Sequence, residues 1–262
     1  MIPKIIHYCW FGGKPLPESA KKCIASWRKF LPDYEIKEWN ETNFDVNIIP
    51  YTAEAYSVKK YAFVSDYARF WILYKYGGLY FDTDVEVIKN MDDIIGKGPF
   101  MGCENEAQPK ATPYEIGVNP GLGLGVPPGF SLYGEILDIY GSKHYILPDG
   151  TFSYITVVDI TTGLLCKKGL KNTNEIQYVD GVWIYPKEFF CPKDYKTGVM
   201  YSTYNTRTIH HYSESWLPWY MKVEGMFWQK IGFRKNFFIT RFIFRIQKNI
   251  RTLLAIKCKR SE

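Results

Sequence analysis

Nowhere in this chain of 262 residues is there a run of about 18 apolar side chains, the length a helix needs to cross a bilayer. The N-terminus also lacks a basic segment followed by an apolar one of signal-peptide length. Neither a membrane-spanning nor an exported protein is expected on these grounds. No C-x-x-C occurs. The six cysteines (Cys9, Cys23, Cys103, Cys166, Cys191 and Cys258) are scattered, which argues against a zinc knuckle or a redox dithiol and leaves reduced thiols in a cytosolic protein as the expectation. Internal repeats and low-complexity tracts are absent as well.

Acid is missing from one stretch. Between Gly225 and Arg260 there are ten Lys or Arg residues and no Asp or Glu. Those ten cations, with Glu262, exceed the whole net charge of +6 and leave residues 1–224 at −3. The imbalance sets a boundary: a domain over 1–224 and a basic tail over 225–262. Within the tail Ile239, Phe242, Ile243, Ile246, Ile250, Leu253 and Leu254 share one helical face, while Arg241, Arg245, Lys248 and Arg251 lie on the other, with Phe244 as the exception. A basic amphipathic helix of this kind suits an anionic membrane surface. The alternative is a terminal helix docked on the domain or on a partner. Nucleic acid is not expected, because the rest of the chain is mildly acidic and carries no nucleic-acid motif.

What the chain does have is apolar and aromatic content, 46% and 18%, enough for one large core. Its most informative stretch runs from Tyr61 to Ile88. Phe63, Tyr67, Phe70, Trp71 and Tyr74 recur at helical spacing, Gly77 and Gly78 stop the helix, and Leu79 to Phe81 read as a short strand ending in Asp82 and Asp84. Val85, Val87 and Ile88 resume the strand. Two carboxylates two residues apart lie on one face of an extended chain and repel each other unless a cation lies between them. Hard oxygens suit Mg²⁺ or Mn²⁺. Alone, D-x-D is weak, with roughly 0.5 chance matches in a chain of this aspartate content. Elsewhere strands are predicted near 4–9, 35–39, 79–81, 85–88, 99–103 and 182–185 and helices near 17–30 and 57–76. That alternation predicts an α/β sheet with functional residues at the carboxyl ends of its strands. The stretch from Glu104 to Gly129 reads as a long functional loop lining the pocket.

Several ordered motifs carry a resemblance. The opening IPKIIHYCWFGG (Ile2 to Gly13), the S-D-x-x-R of Ser65, Asp66 and Arg69, the Y-x-x-G-G-x-Y-x-D-x-D from Tyr74 to Asp84, and HHYSESW (His210 to Trp216) resemble glycosyltransferase family 32. That family includes capsular polysaccharide transferases and yeast-type initiating mannosyltransferases; the catalytic domains of clostridial glucosylating toxins look like distant relatives. TTGLLCKKG and VWIYPKEFFCP are similar to two further family segments, with Leu164 where proline is usual. The resemblance spans residues 1 to 217 or so.

It implies a GT-A type, Rossmann-like domain with a helical C-terminal tail, and a metal-dependent transferase acting on a nucleoside diphosphate sugar with retention of configuration. By the same resemblance Asp84 binds the metal and Asp82 contacts ribose, sugar and metal; Asp66 and Arg69 hold the donor sugar. Ser65 joins them in the donor site, Ser215 bonds the β-phosphate, and Trp216 caps the sugar. One of His210 and His211 completes the metal site, since only one of two neighbours in an extended segment can face it. Trp10 is either a base-stacking residue, as in the toxins, or a buried strand-end tryptophan; the first favours UDP over GDP. No nucleophile is assigned. The expected cofactor is Mn²⁺ or Mg²⁺. The expected acceptor is a glycan or lipid-linked unit of capsule, exopolysaccharide or lipopolysaccharide, and the expected location is the cytoplasmic face of the cell membrane, with the protein attached peripherally. A non-catalytic carbohydrate-binding protein and a metal-dependent phosphoesterase are the rival readings; the latter usually needs a second metal and a bridging carboxylate.

Overall fold

The computed structural model describes residues 1–107, 116–153, 155–195, 197–213, 223–224 and 227. They belong to two units, Met1–Lys193 with Met200–Ser213, and a small one that includes Asp194–Val199. In the small unit the Asp194 carboxylate accepts from the backbone and hydroxyl of Thr197, each at 2.7 Å, closing a tight turn. Except for Phe227, the predicted tail over 225–262 lies outside the described residues. No helix among the described residues is long and apolar enough to cross a membrane.

The large unit opens with β1 (Ile5–Cys9), α1 (Glu18–Phe30) and β2 (Glu35–Trp39). Ala20, Cys23, Ile24 and Trp27 are the buried stripe of α1, and Glu18 and Arg28 with Lys29 sit at the ends where the helix dipole favours their charges. Then come α2 (Pro50–Ser57), which begins on proline, and α3 (Tyr61–Tyr76). The predicted single helix over 57–76 is thus shorter at its start: the chain turns between α2 and α3, and Lys59 takes a left-handed φ of 59°. Gly77 ends α3 with φ 64° and an N–H bonded to Leu73 O, as the two glycines predicted. The buried face of α3 is wider than the predicted stripe. Val64, Ala68, Ile72 and Leu73 are buried with Tyr67 and Phe70, whereas Tyr74 is exposed.

Next follow β3 (Gly78–Tyr80), β4 (Val85–Val87), α4 (Asp92–Ile95), β5 (Phe100–Gly102) and β6 (Leu124–Val126), then α5 (Ser131–Gly141) and α6 (Val157–Lys167). A capping box between Thr156 and Asp159 starts α6. β7 (Gln177–Val179), β8 (Val182–Tyr185), α7 (Lys187–Phe190) and β9 (Thr208–His210) complete the unit. Seven strands form one mixed sheet in the order β2-β1-β3-β6-β5-β8-β7. β1 is parallel to both β2 and β3, and β5 is parallel to β8; the other pairings are antiparallel. The α/β sheet expected of a GT-A type domain is therefore present.

Two core clusters contain the buried apolar side chains. One gathers α3, α5 and α6 with Tyr80, Leu124 and Val126. The other gathers α1 with Ile6, Leu79, Phe81 and β4. β4 does not continue β3, as the sequence had led us to expect. It pairs antiparallel with β9 in a separate two-stranded sheet, with Val85 opposite His210. Asp82 and Asp84 consequently occupy a turn between two sheets, closed by Val85 N–H to Asp82 O at 3.0 Å. The long loop predicted from Glu104 to Gly129 also contains structure, because β6 lies in the middle of the large sheet.

Candidate metal and donor site

The turn from Asp82 to Asp84 is held from two directions. Asp82 N–H donates to Gly121 O at 3.0 Å, and the backbone N–H of His211 donates to Asp84 O at 2.9 Å. β9 alternates, so His210 points at the turn and His211 away from it. His210 Nε2 is 3.2 Å from Asp84 Oδ1, while His211 Nε2 is 2.8 Å from Glu86 Oε2. Of the two histidines offered by the sequence, the structure brings only His210 to the carboxylates. One ligand atom each from Asp82, Asp84 and His210 lies within 4.8 Å of the others. This is the one such group of three among the described residues.

The neighbouring charges complete the cluster. The Arg69 guanidinium, on α3, bonds Asp66 Oδ1 at 2.7 Å and lies 3.3 Å from Asp82 Oδ1. Its side chain is 4% exposed and that of Asp66 13%, so the pair is not the solvated surface contact that i,i+3 spacing alone would allow. Tyr80 supports it twice, donating its hydroxyl to Asp82 Oδ1 at 3.2 Å and placing its ring 5.0 Å below the guanidinium. Ser65 donates its hydroxyl to Tyr61 O within the helix. Trp10 is half-buried against the α1 side of the core and donates its indole N–H to Lys14 O, between the two readings the sequence left open. Ser215 and Trp216 lie outside the described residues.

The two acids are electrostatically unlike. Burial raises Asp82, against the pull of Arg69, and Asp84 adds to the rise. Burial alone would raise Asp84 too, but His210 and the Ser213 N–H, 2.8 Å from Oδ2, hold it well below the usual carboxylate range. Burial opposes charge on His210, yet Asp84 raises it well above its ordinary value. A proton on His210 thus stands where a cation would. With that histidine neutral and all three carboxyls ionised, Asp66, Asp82, Asp84 and Arg69 leave two negative charges, which one divalent cation balances; in its absence burial pushes the Asp66 carboxyl up to about 7, against the pull of Arg69. The two carboxylates are hard oxygen donors of the kind that Mn²⁺ and Mg²⁺ take, and an imidazole is an acceptable further ligand for Mn²⁺, so the residues fit Mn²⁺ better than Mg²⁺.

Sequence reasoning passed over three contributors. Tyr80 ends β3 two residues before Asp82, a spacing that was available in the sequence. The Asn119-Pro120-Gly121 turn behind Asp82 was visible only as turn composition. Ser213 reaches Asp84 through both its backbone N–H and its side chain, and its place inside the His210 to Trp216 motif was the signal available. Both acids are also less exposed than a strand end implies, at 30% for the Asp82 side chain and 14% for Asp84.

Residues 17–101 match the family model described as glycosyltransferase sugar-binding region containing DXD motif. The chain is 27% identical over 230 residues to an uncharacterized glycosyltransferase of Acanthamoeba polyphaga mimivirus, covering 83% of this chain and 85% of that one. It is 32% identical over 102 residues to inositol phosphoceramide mannosyltransferase 3 of Schizosaccharomyces pombe, a match that covers 36% of this chain but only 27% of that relative. Among solved structures it is similar to the PaToxG glycosyltransferase, at TM-score 0.49 and 21% identity over 64% of this chain and 70% of that one. It is also similar to a glycosyltransferase involved in the glycosylation of the major capsid of PBCV-1, at TM-score 0.41 and 11% identity over 82% and 95% of the two chains.

Proposed function

We propose that this chain, which belongs through residues 17–101 to the glycosyltransferases with a DXD-containing sugar-binding region, is a metal-dependent, retaining transferase that uses a nucleoside diphosphate sugar, UDP-linked. The observation that carries the reading is the convergence of Asp82, Asp84 and His210 beside the buried Asp66–Arg69 pair. A bound Mn²⁺ or Mg²⁺ supplies electrostatic stabilisation of the negative charge that builds on the leaving diphosphate. Asp84, beside β4, and His210, on β9, would hold that cation together with Asp82, whose carboxylate Arg69 and Tyr80 keep in place. Asp66, gripped by Arg69, presents its remaining oxygen to sugar hydroxyls. Ser65 and Trp10 border the donor, the latter stacking on the base, with Ser215 and Trp216 as further donor contacts.

The reading extends to the acceptor and the place of action. A glycan or lipid-linked unit in capsule, exopolysaccharide or lipopolysaccharide synthesis is the proposed acceptor, reached at the cytoplasmic face of the membrane, where residues 225–262 hold the domain 1–224 to anionic lipid. The name of the inositol phosphoceramide mannosyltransferase relative supports a lipid-borne acceptor.

Titration calorimetry of the protein with UDP and GDP, each with and without Mn²⁺, tests the donor class. Mn²⁺-dependent binding of UDP is the expected result. Binding of neither nucleotide sinks the transferase reading and favours a metal-free carbohydrate-binding protein, while phosphate release from simple phosphoesters favours the hydrolase.

A further inference from the structure

Among the described residues Glu104 is a carboxylate with no ion-pair partner in contact; His210 and Lys187 act on it only through their charge. It follows β5, is half-buried in the fold, and among the described residues its one hydrogen-bond partner through the side chain is neutral: Asn119 Nδ2 donates to Glu104 Oε2 at 2.8 Å. Burial raises its pKa in spite of that bond. Such a group is costly to keep, and neither the metal cluster nor the Asp66–Arg69 pair uses it directly.

Its effect is transmitted through Asn119. The opposite end of that amide, Oδ1, accepts from Gly121 N–H at 2.7 Å. The other polar group of Gly121, its carbonyl, accepts from Asp82 N–H at 3.0 Å. A Cβ at position 121 would collide with the Asp82 carboxylate, so the backbone of Gly121 is the floor on which that carboxylate rests. Both polar groups of Gly121 are therefore committed, one to Asp82 and one to Asn119.

An asparagine amide can present either end. An ionised carboxylate only accepts, so Glu104 compels Asn119 to turn its NH₂ towards it and its oxygen towards Gly121. The reverse orientation would set two N–H donors face to face at Gly121. From this geometry we infer that Glu104 and Asn119 are a positioning pair that fixes the Gly121 turn and, through it, the direction of the Asp82 carboxylate at the metal site. The inference rests on the proposed metal-dependent reading of that site. Glu104 is a positioning residue, not a catalytic one: it acts through Asn119 and does not touch the reacting atoms.

The test compares Glu104→Leu, Glu104→Gln and wild type in full-length protein, by Mn²⁺ titration without nucleotide and by steady-state hydrolysis of the donor. Glu104→Leu removes the acceptor, and the expected effect is a loss of about tenfold or more in Mn²⁺ affinity and in kcat, the range found when partners that orient a metal ligand are removed, with the donor KM changed much less. Glu104→Gln keeps an acceptor oxygen for Asn119 and is expected to restore both to within about threefold of wild type. Circular dichroism melting shows whether each variant is folded, and Asn119→Ala serves as the second route to the same turn if Glu104→Leu is not. A folded Leu or Ala variant with unaltered Mn²⁺ affinity and kcat overturns the inference alone. A Gln variant as poor as Leu overturns it as well, since it would show that the charge and not the acceptor is what matters. A wild type that binds neither Mn²⁺ nor nucleotide overturns the functional reading and this inference together.

Discussion

Two adjacent histidines with nearly identical sequence context end up in different chemistry because β9 alternates. His210 faces Asp84 at 3.2 Å and His211 faces Glu86 at 2.8 Å, across the same pair of strands. Under the proposed metal reading the two are not interchangeable. His210→Gln is expected to lower kcat/KM at fixed Mn²⁺ by roughly 100-fold, about 2.7 kcal/mol of transition-state stabilisation. His211→Gln loses only a half-exposed pairing, for which a fewfold change is expected. Parallel Mn²⁺ titrations of the two variants check the assignment; equal losses would mean that the cation is shared by both rings or held elsewhere. The spacing of His210 and His211 showed that one of them must face away, but not which. That choice depends on the register of β9 against β4, Val85 opposite His210, and register is a tertiary fact.

At the scale of elements, His7 shows how the strands and helix that carry the site are joined. It lies on β1, buried, and its Nε2 is 3.0 Å from Gly77 O at the end of α3, while Trp39 at the end of β2 donates its indole N–H to Nδ1 at 3.0 Å. A ring that accepts at Nδ1 and donates at Nε2 is neutral. Burial lowers its pKa to about 4. Because the folded value lies below the unfolded one, near 6.5, the contribution to stability is fully present above pH 6.5 and is lost as the pH falls towards 4. The shift corresponds to about 3 kcal/mol. Urea unfolding across that window should show the loss in wild type, and His7→Gln, less stable at pH 7.5, should show a flatter dependence; parallel curves would remove His7 as the cause.

Elements of this kind were legible where a local signal sufficed. The strands near 4–9, 35–39 and 182–185 and the glycine stop after α3 were read closely, because apolar runs and glycine need no tertiary context. α2, α5 and α6 were missed despite a proline start and a capping box, and β6 was hidden in a glycine-rich stretch that resembles a loop. Gly125 is in that strand because a Cβ there would strike Phe100 and Leu79, a packing demand invisible in composition. The D-x-D pair was placed on the wrong backbone. Its acids meet in a turn between two sheets, where a sequence pattern of period two had placed them along one strand.

The whole chain divides its charge as it divides its tasks in our reading, with net −3 over residues 1–224 and ten cations without an acid between Gly225 and Arg260. A domain that binds an anionic donor through a cation needs no basic surface of its own, and a mildly acidic one would be repelled by anionic lipid. In the proposed reading attachment falls to the tail, at about 1 kcal/mol for each Lys or Arg close to the membrane. Full-length protein is expected to sediment with vesicles rich in phosphatidylserine at low salt. It should be released at about 1 M salt, where the Debye length falls to about 3 Å, unless the apolar face of the tail inserts, in which case salt removes only part of the bound fraction. Protein ending at Glu224 should stay in the supernatant while binding UDP and Mn²⁺ as the full chain does, since Asp82, Asp84, His210, Asp66 and Arg69 all lie within Met1–Lys193 and Met200–Ser213. A truncated chain that no longer folds would assign the tail to the core of the domain. One that folds and still binds vesicles would move the membrane contact to the domain itself.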